Sequence, residues 1–229
     1  MSSFQVSLLC FIATLVFYFA NKRLYQRFRK LPLMPLILTP VLLVLMLIFG
    51  HISYANYIGE THWLLWFMGP ATIAFAVPVY ENLHIIKRHW MSLSAGVIAA
   101  TTVAVCSSVW LARLLTLPDE LQRSLAVRSI TTPFALAAAK PIGGQPELVA
   151  LFVVITGVFG MAVGDILFLR LAIRENVAKS AGFGAASHGA GTARSYQLGP
   201  QEGVIASLVM MLSGIVTVLF APVIRWLLF

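Results

Sequence analysis

LVALFVVITGVFGMAVGDILFL (148–169) is the stretch that decides the fold. Asp165 is its only charged residue, and the other side chains are apolar or small. About 20 residues of this kind cross a hydrocarbon core of about 30 Å when they form an α-helix. The stretch therefore predicts a membrane-spanning helix.

The composition of the whole chain agrees with a membrane protein. Of its 229 residues, 59% are hydrophobic and 10% are charged, and the mean hydropathy is +0.89, whereas soluble domains are about 25% charged. We expect an all-α, polytopic transmembrane helical bundle that forms one integral membrane domain over 1–229. The segments predicted to span the membrane, about six in number, are 4–20, 33–50, 63–80, 91–112, 148–169 and 203–228.

The positive charges indicate a topology rather than a nucleic-acid partner. The net charge is +8, but the cations lie in short loops beside apolar segments, so the lipid bilayer is the expected partner. The loop 21–30 carries five Lys or Arg residues and no acid, and the loop 80–89 contains Lys87 and Arg88. The positive-inside rule places both loops in the cytoplasm and the N-terminus outside.

Two segments, 123–146 and 180–200, are predicted to be re-entrant or broken helices. The loop 170–179 is also basic. For this loop to lie in the cytoplasm, the chain must enter the membrane from the outer side and return to the same side before residue 148. Irregular backbone at membrane depth is tolerated where it is buried in protein or lines a cavity. The two segments would also be compatible with an inverted repeat. The residues expected to break helix geometry are Pro70, Pro78, Pro133, Gly143, Gly144, Gly189 and Gly191.

RSITTPF (128–134) is a candidate site for a small carboxylate. Arg128 supplies a cation, Thr131 and Thr132 supply hydroxyls, and a helix that restarts near Pro133 would present free N–H groups. An arginine in a membrane segment is costly enough to indicate function. The alternative is that Arg128 lies at the membrane boundary and extends its head group into water.

GAASHGAGTARS (184–195) allows four interpretations. A hydrolase nucleophile elbow is disfavoured because one residue too many precedes Ser187 and no strand or acid partner is available. A metal site is disfavoured because the segment offers one histidine, and we expect neither a metal nor another cofactor. Close packing through small residues such as Ala185 and Gly189 and a transport site that includes Ser187, His188 and Thr192 are compatible with each other.

The acids beside the apolar segments have two interpretations. Asp165 is expected to pair with Arg170 at the membrane interface. The alternative is a proton relay that combines His188 with Asp165 and Glu202. No motif supplies a nucleophile, a base and an orienting group together, so we expect the chain not to be an enzyme.

The irregular segments also carry a resemblance to a known family. The stretches GPATIAFAVPVYEN (69–82), RSITTPFALA (128–137), TGVFGMAVGD (156–165) and ASHGAGTARS (186–195) are similar to those of the LrgB/CidB proteins, and the likeness covers nearly the whole chain. Many relatives have Lys where Arg128 stands, which keeps the cation but changes its geometry.

The resemblance implies a bacterial inner-membrane protein with one of two functions. One is secondary transport of small monocarboxylates of the glycolate, glycerate or pyruvate class, since the family is related to the membrane domain of the plant plastidal glycolate/glycerate translocator. The other is an antiholin-like, non-transporting regulator of murein hydrolase activity and autolysis. With either function, a small LrgA/CidA-like membrane protein is an expected partner. The formation of a homo-oligomer stays an open alternative.

Overall fold

The chain folds into helices joined by short turns in residues 3–28, 30–74 and 76–229, which are the residues that the structure, a computed structural model, describes. Those ranges contain no strand, which confirms the all-α prediction. A short 3₁₀ turn covers Leu31–Leu33. The α-helices are α1 (Ser3–Phe28), α2 (Pro35–Phe49), α3 (Tyr54–Trp66), α4 (Met68–Ala74), α5 (Ala76–Glu81), α6 (Leu83–Arg88), α7 (Trp90–Leu114), α8 (Asp119–Leu125), α9 (Thr132–Ile142), α10 (Pro146–Arg170), α11 (Asn176–Leu198) and α12 (Pro200–Leu228).

Within the described ranges, four helices are long and apolar enough to cross a membrane, namely α1, α7, α10 and α12. The predicted span 33–50 corresponds to α2, whose 15 residues extend about 22 Å, short of a core of about 30 Å. The predicted span 63–80 is not one helix, because the chain there is divided among α3, α4 and α5. The count of six spans therefore stays a prediction.

The chain divides into two compact units, and the first extends to Thr72. In this unit α1 packs against α2 and α3. The buried Asn21 amide donates to the Thr39 hydroxyl over 3.0 Å, and the Ser7 hydroxyl donates to the Asn56 carbonyl over 2.6 Å. Because these polar groups bond each other, the helices can bury them without leaving unpaired donors.

The second unit, Ile73–Phe229, is organised around α12. This helix packs against α7, α9 and α11, and α10 lies against α9 and α11. The short residues Ala135, Ala138 and Ala139 of α9 are almost fully buried, as are Val149 and Val153 of α10. Small side chains at these positions let the helices approach closely, as is common between helices in membranes.

The segment predicted to be re-entrant, 123–146, contains two short helices. A turn after Leu125 separates α8 from α9, and Pro133 lies in the first turn of α9, where a missing N–H costs little. Gly143 ends α9 in the left-handed conformation with φ 87°, and Gly144 follows it. With 7 and 11 residues, these helices are about 10 and 16 Å long, so neither alone crosses the core. Re-entry itself stays a prediction.

Candidate functional site

The helix α11 is interrupted at His188. This residue has φ 37° and ψ −121°, whereas the chain before and after it is helical. A non-glycine residue with such dihedrals costs on the order of 1–3 kcal/mol and persists only where its surroundings hold it in place. A break within 180–200 was expected from the sequence, at Gly189 and Gly191. The positive φ instead falls on His188, which directly precedes Gly189.

A row of glycines on α10 makes room for α11 at this break. A Cβ atom at Gly157 would overlap the imidazole of His188, and a Cβ atom at Gly160 would overlap the hydroxyl of Ser187. Gly164 in the same way admits the ring of Phe183. The spacing of three and four residues places these glycines on one face of α10. Ser187 and His188 are consequently buried, with 1% and 6% of their surfaces exposed.

One hydrogen bond fixes the ring of His188. Its Nε2 atom lies 3.0 Å from the carbonyl oxygen of Val153 on α10. A carbonyl only accepts, so Nε2 is the nitrogen that carries the proton. Ser187 and His188 therefore face different glycines of α10, and the Nε2 atom of His188 bonds a backbone carbonyl rather than the hydroxyl of Ser187, which does not match a nucleophile activated by its own neighbour.

A cavity of about 370 Å³ lies beside this break. Arg128 enters it from the turn between α8 and α9, and its Nη1 atom is 3.4 Å from the hydroxyl of Thr156 on α10. Gly160 and Ala186 line the cavity next to the Ser187–Gly160 contact. Its remaining lining residues are apolar: Leu125, Phe152, Ile155 and Phe159.

Arg128 has no acidic partner in the part of the chain that the structure describes, since the single ion pair there joins Arg194 to Asp165. A half-buried guanidinium keeps its charge and prefers planar, bidentate anions such as carboxylates. The cavity therefore combines a cation with no protein counter-ion, one hydroxyl and apolar walls. This arrangement can bind a small carboxylate.

The other predicted binding residues lie outside this cavity. Thr131 is the N-cap of α9, and its side chain makes no capping bond, while Thr132 begins the helix. The hydroxyl of Thr192 donates to the sulfur of Met210 on α12 at 3.7 Å. Of the six predicted residues, the structure thus places Arg128 in the cavity and Ser187 against Gly160 of its wall, while His188 contacts Gly157 and Val153, which do not line the cavity.

The acidic residues have partners that differ from the expected ones. Asp165 pairs with Arg194 of α11, at 2.9 Å from Nε and 2.8 Å from Nη2, and not with Arg170 as expected. Arg170 ends α10 five residues later, whereas packing of α10 on α11 brings Arg194 alongside. Glu202 lies in the first turn of α12. Among the contacts of the described residues none joins His188 to either acid, and the proton relay stays a prediction.

Sequence reasoning missed two groups of site residues. Thr156 lies inside the predicted span 148–169 together with Phe152, Ile155 and Phe159 of the apolar wall, and nothing in the sequence distinguishes them from lipid-facing residues. Gly157, Gly160 and Gly164 could have been recognised, because their spacing marks one helix face. Close packing of α11 on α12 is made by Gly184, where a Cβ atom would overlap the backbone of Ala206, while a Cβ atom at Gly189 would meet open space.

Fold and site together define an all-α membrane protein with a cationic cavity at a broken helix. The profile of the LrgB-like family matches residues 14–227, so the chain belongs to that family. It is 32% identical to the uncharacterized protein YwbG of Bacillus subtilis over 217 aligned residues, and the alignment covers 95% of this chain and 96% of the relative. The antiholin-like protein LrgB of the same organism is 31% identical over 189 residues, 82% of each chain. No solved structure matches the chain.

Proposed function

We propose that the chain is a secondary carrier of small monocarboxylate anions, of the glycolate, glycerate or pyruvate class. The observation that carries the proposal is Arg128, a half-buried cation without an acidic partner in the described ranges, facing a cavity. In the membrane such a charge is costly and usually marks a substrate pathway. An anionic substrate would supply the missing counter-ion.

The geometry of the cavity supports a small ligand. Its volume of about 370 Å³ is near the lower end of the usual range of about 300–1,000 Å³ for ligand pockets. The guanidinium of Arg128 would hold the carboxylate through two N–H groups, and the hydroxyl of Thr156 would bond one of the ligand's oxygens. Broken helices beside a binding site, like α11 here, are typical of secondary transporters.

The proposal includes a location and an orientation. We propose the bacterial inner membrane, with the N-terminus outside and the loops 21–30 and 80–89 in the cytoplasm, because cytoplasmic loops carry an excess of Lys and Arg. We propose transport rather than catalysis, since the imidazole of His188 is bonded to a backbone carbonyl. The proposal also includes association of the carrier with a small LrgA/CidA-like membrane protein and with further copies of itself.

Uptake of labelled glycolate and pyruvate into proteoliposomes tests the proposal. We expect uptake above empty vesicles, a loss of about tenfold or more in Arg128→Gln, and partial activity in Arg128→Lys, because hydrogen bonds to a charged group contribute about 1.5–3 kcal/mol. Arg170→Gln is the matched control, since Arg170 is exposed at the end of α10. A monodisperse sample without uptake, or Arg128→Gln with full uptake, would refute the proposal.

A second candidate function is an antiholin-like regulator of murein hydrolase activity and autolysis, without transport. The name of one relative, the antiholin-like protein LrgB of Bacillus subtilis, favours it. A regulator that acts by assembly should tolerate Arg128→Gln and should lose function in Gly160→Leu, which disturbs the contact of α10 with α11. Lysis of cells expressing each variant separates the candidates: a carrier loses its effect in both variants, and a regulator only in the second.

A further inference from the structure

An apolar groove runs between α7 and α12, remote in sequence from the cavity at Arg128. Its volume is about 330 Å³, and its walls include Ile98, Val105, Val216, Phe220, Leu227 and Leu228. Along α12 the lining residues extend from Val216 to Leu228, which corresponds to about 18 Å of helix. One leaflet of a bilayer has a hydrocarbon depth of about 15 Å. The groove therefore has the length of a single lipid chain.

Three arginines from three helices meet where this groove ends. The guanidinium of Arg113 on α7 donates to the Leu228 carbonyl and lies 5.9 Å from the centre of the Phe229 ring. Arg123 on α8 lies 5.0 Å from the same ring and donates to the Ile142 carbonyl over 2.9 Å. Arg225 on α12 donates to the neighbouring Pro141 carbonyl over 3.1 Å. We define these residues as the arginine cluster.

The arginine cluster forms no ion pair with the residues that the structure describes. The nearest acid along the chain, Glu120, stands one turn before Arg123 and accepts a hydrogen bond from Gln145. Like charges that share one aromatic ring repel each other, and carbonyl oxygens satisfy donors without cancelling charge. An anion at this position would relieve the repulsion.

Two tryptophans indicate the depth of the arginine cluster in the membrane. Trp110, one turn before Arg113, is 67% exposed, and Trp226, next to Arg225, is 82% exposed. Exposed tryptophan is enriched at the level of the lipid headgroups. The arginine cluster thus lies at headgroup level, and the groove extends from it into the hydrocarbon region.

We propose that the groove between α7 and α12 is a binding site for an anionic phospholipid. One acyl chain occupies the groove, and the phosphate of the headgroup contacts Arg113 and Arg225, whose side chains are exposed. Basic pockets between transmembrane helices bind anionic headgroups by the same combination of charge and apolar surface. The charge of the arginine cluster distinguishes this end of the groove from its apolar walls.

Native mass spectrometry of the full chain in detergent tests this site. The protein is incubated with phosphatidylglycerol or phosphatidylcholine that carry identical acyl chains. We expect roughly tenfold preference for phosphatidylglycerol, a loss of that preference in the double variant Arg113→Gln/Arg225→Gln, and an unchanged preference in the control Arg170→Gln. Cys106→Trp, which fills the groove from an exposed position that lines it, should reduce retention of both lipids.

Further arms exclude other occupants. Inorganic phosphate at millimolar concentration should not displace the lipid, because it offers no chain to the groove; displacement would show that the arginine cluster binds free phosphate. Equal retention of both lipids, or a preference that survives the double variant, overturns the proposal. A dimer that forms without lipid and is disrupted by Cys106→Trp would assign the groove to a second copy and also overturn it. Size-exclusion profiles establish that each variant is folded.

Discussion

Gly157→Ala tests the close approach of α10 and α11 most directly. The added methyl group would overlap the imidazole of His188, and overpacking of this kind costs about 1–3 kcal/mol. Displacement of the ring would also break its bond to the Val153 carbonyl and leave a buried group unpaired, at about 1–3 kcal/mol. Alanine regains about 1 kcal/mol of helix propensity. We expect a net destabilisation of about 1–5 kcal/mol.

Gly96→Ala is the matched control. Gly96 also lies inside a long helix, α7, but a Cβ atom there would meet nothing within 4 Å. Only the propensity gain applies, so this variant should be stabilised by up to about 1 kcal/mol. The two identical substitutions are therefore expected to change the free energy of unfolding in opposite directions.

Reversible unfolding in mixed micelles measures both variants. The double variant Gly157→Ala/His188→Ala should recover part of the loss, because the smaller side chain at position 188 no longer meets the new methyl group. A coupling free energy of about 0.5–3 kcal/mol between the two positions is expected for residues in contact. If Gly157→Ala is as stable as Gly96→Ala, or if the coupling is zero, the contact between Gly157 and His188 does not exist.

Three further tests have defined outcomes in the same unfolding assay. His188→Gly should be more stable than His188→Ala by about 1–3 kcal/mol, because both lose the imidazole but only glycine adopts φ 37° without strain; equal stability would contradict a strained backbone. Gly143→Ala should cost about 1–2 kcal/mol. The cause is backbone strain at the left-handed φ of 87° and not a steric clash, because the nearest atom would be 3.5 Å from the added Cβ. An unchanged free energy of unfolding would argue against that conformation. Asp165→Asn and Arg194→Gln should each cost only about 0.2–1 kcal/mol, because both side chains are more than one-third solvent-accessible. A double-mutant cycle measures the coupling free energy between the two residues, and a value of zero would contradict the ion pair.

The long apolar stretches were predictable, and the broken ones were predictable only as regions. The helices α1, α7, α10 and α12 follow from apolar length alone, which needs no knowledge of their neighbours. The predicted span 63–80 is divided among α3, α4 and α5, and apolar composition alone does not show where one helix ends and the next begins. The length of an apolar stretch predicts whether it can be buried in lipid, whereas backbone geometry decides whether it forms one unbroken helix.

The charged residue of the site could be predicted from the sequence, but the residues that contact it could not. Arg128 is recognisable because a cation in a membrane segment is rare. The ion pair of Asp165 with Arg194 depends on which faces of α10 and α11 meet, and it joins residues 29 positions apart. The contact of Thr156 with Arg128 depends on how α10 lies against the turn that follows α8, and it joins residues 28 positions apart. The break at His188 has the same origin, since the surroundings on α10, and not the preference of histidine, hold its backbone in place.

The burial of α11 has a consequence for how the protein is made. Ser180, Ser187 and Ser195 are almost fully buried, and within the described residues the hydroxyls of Ser180 and Ser195 have no hydrogen-bond partner. A helix of such polar composition gains little from partitioning into lipid. Because α12 is synthesised after α11 and forms much of its surroundings, α11 lacks its final environment while it emerges from the ribosome. We therefore expect a chain truncated before α12 to lack the packing that buries these serines of α11.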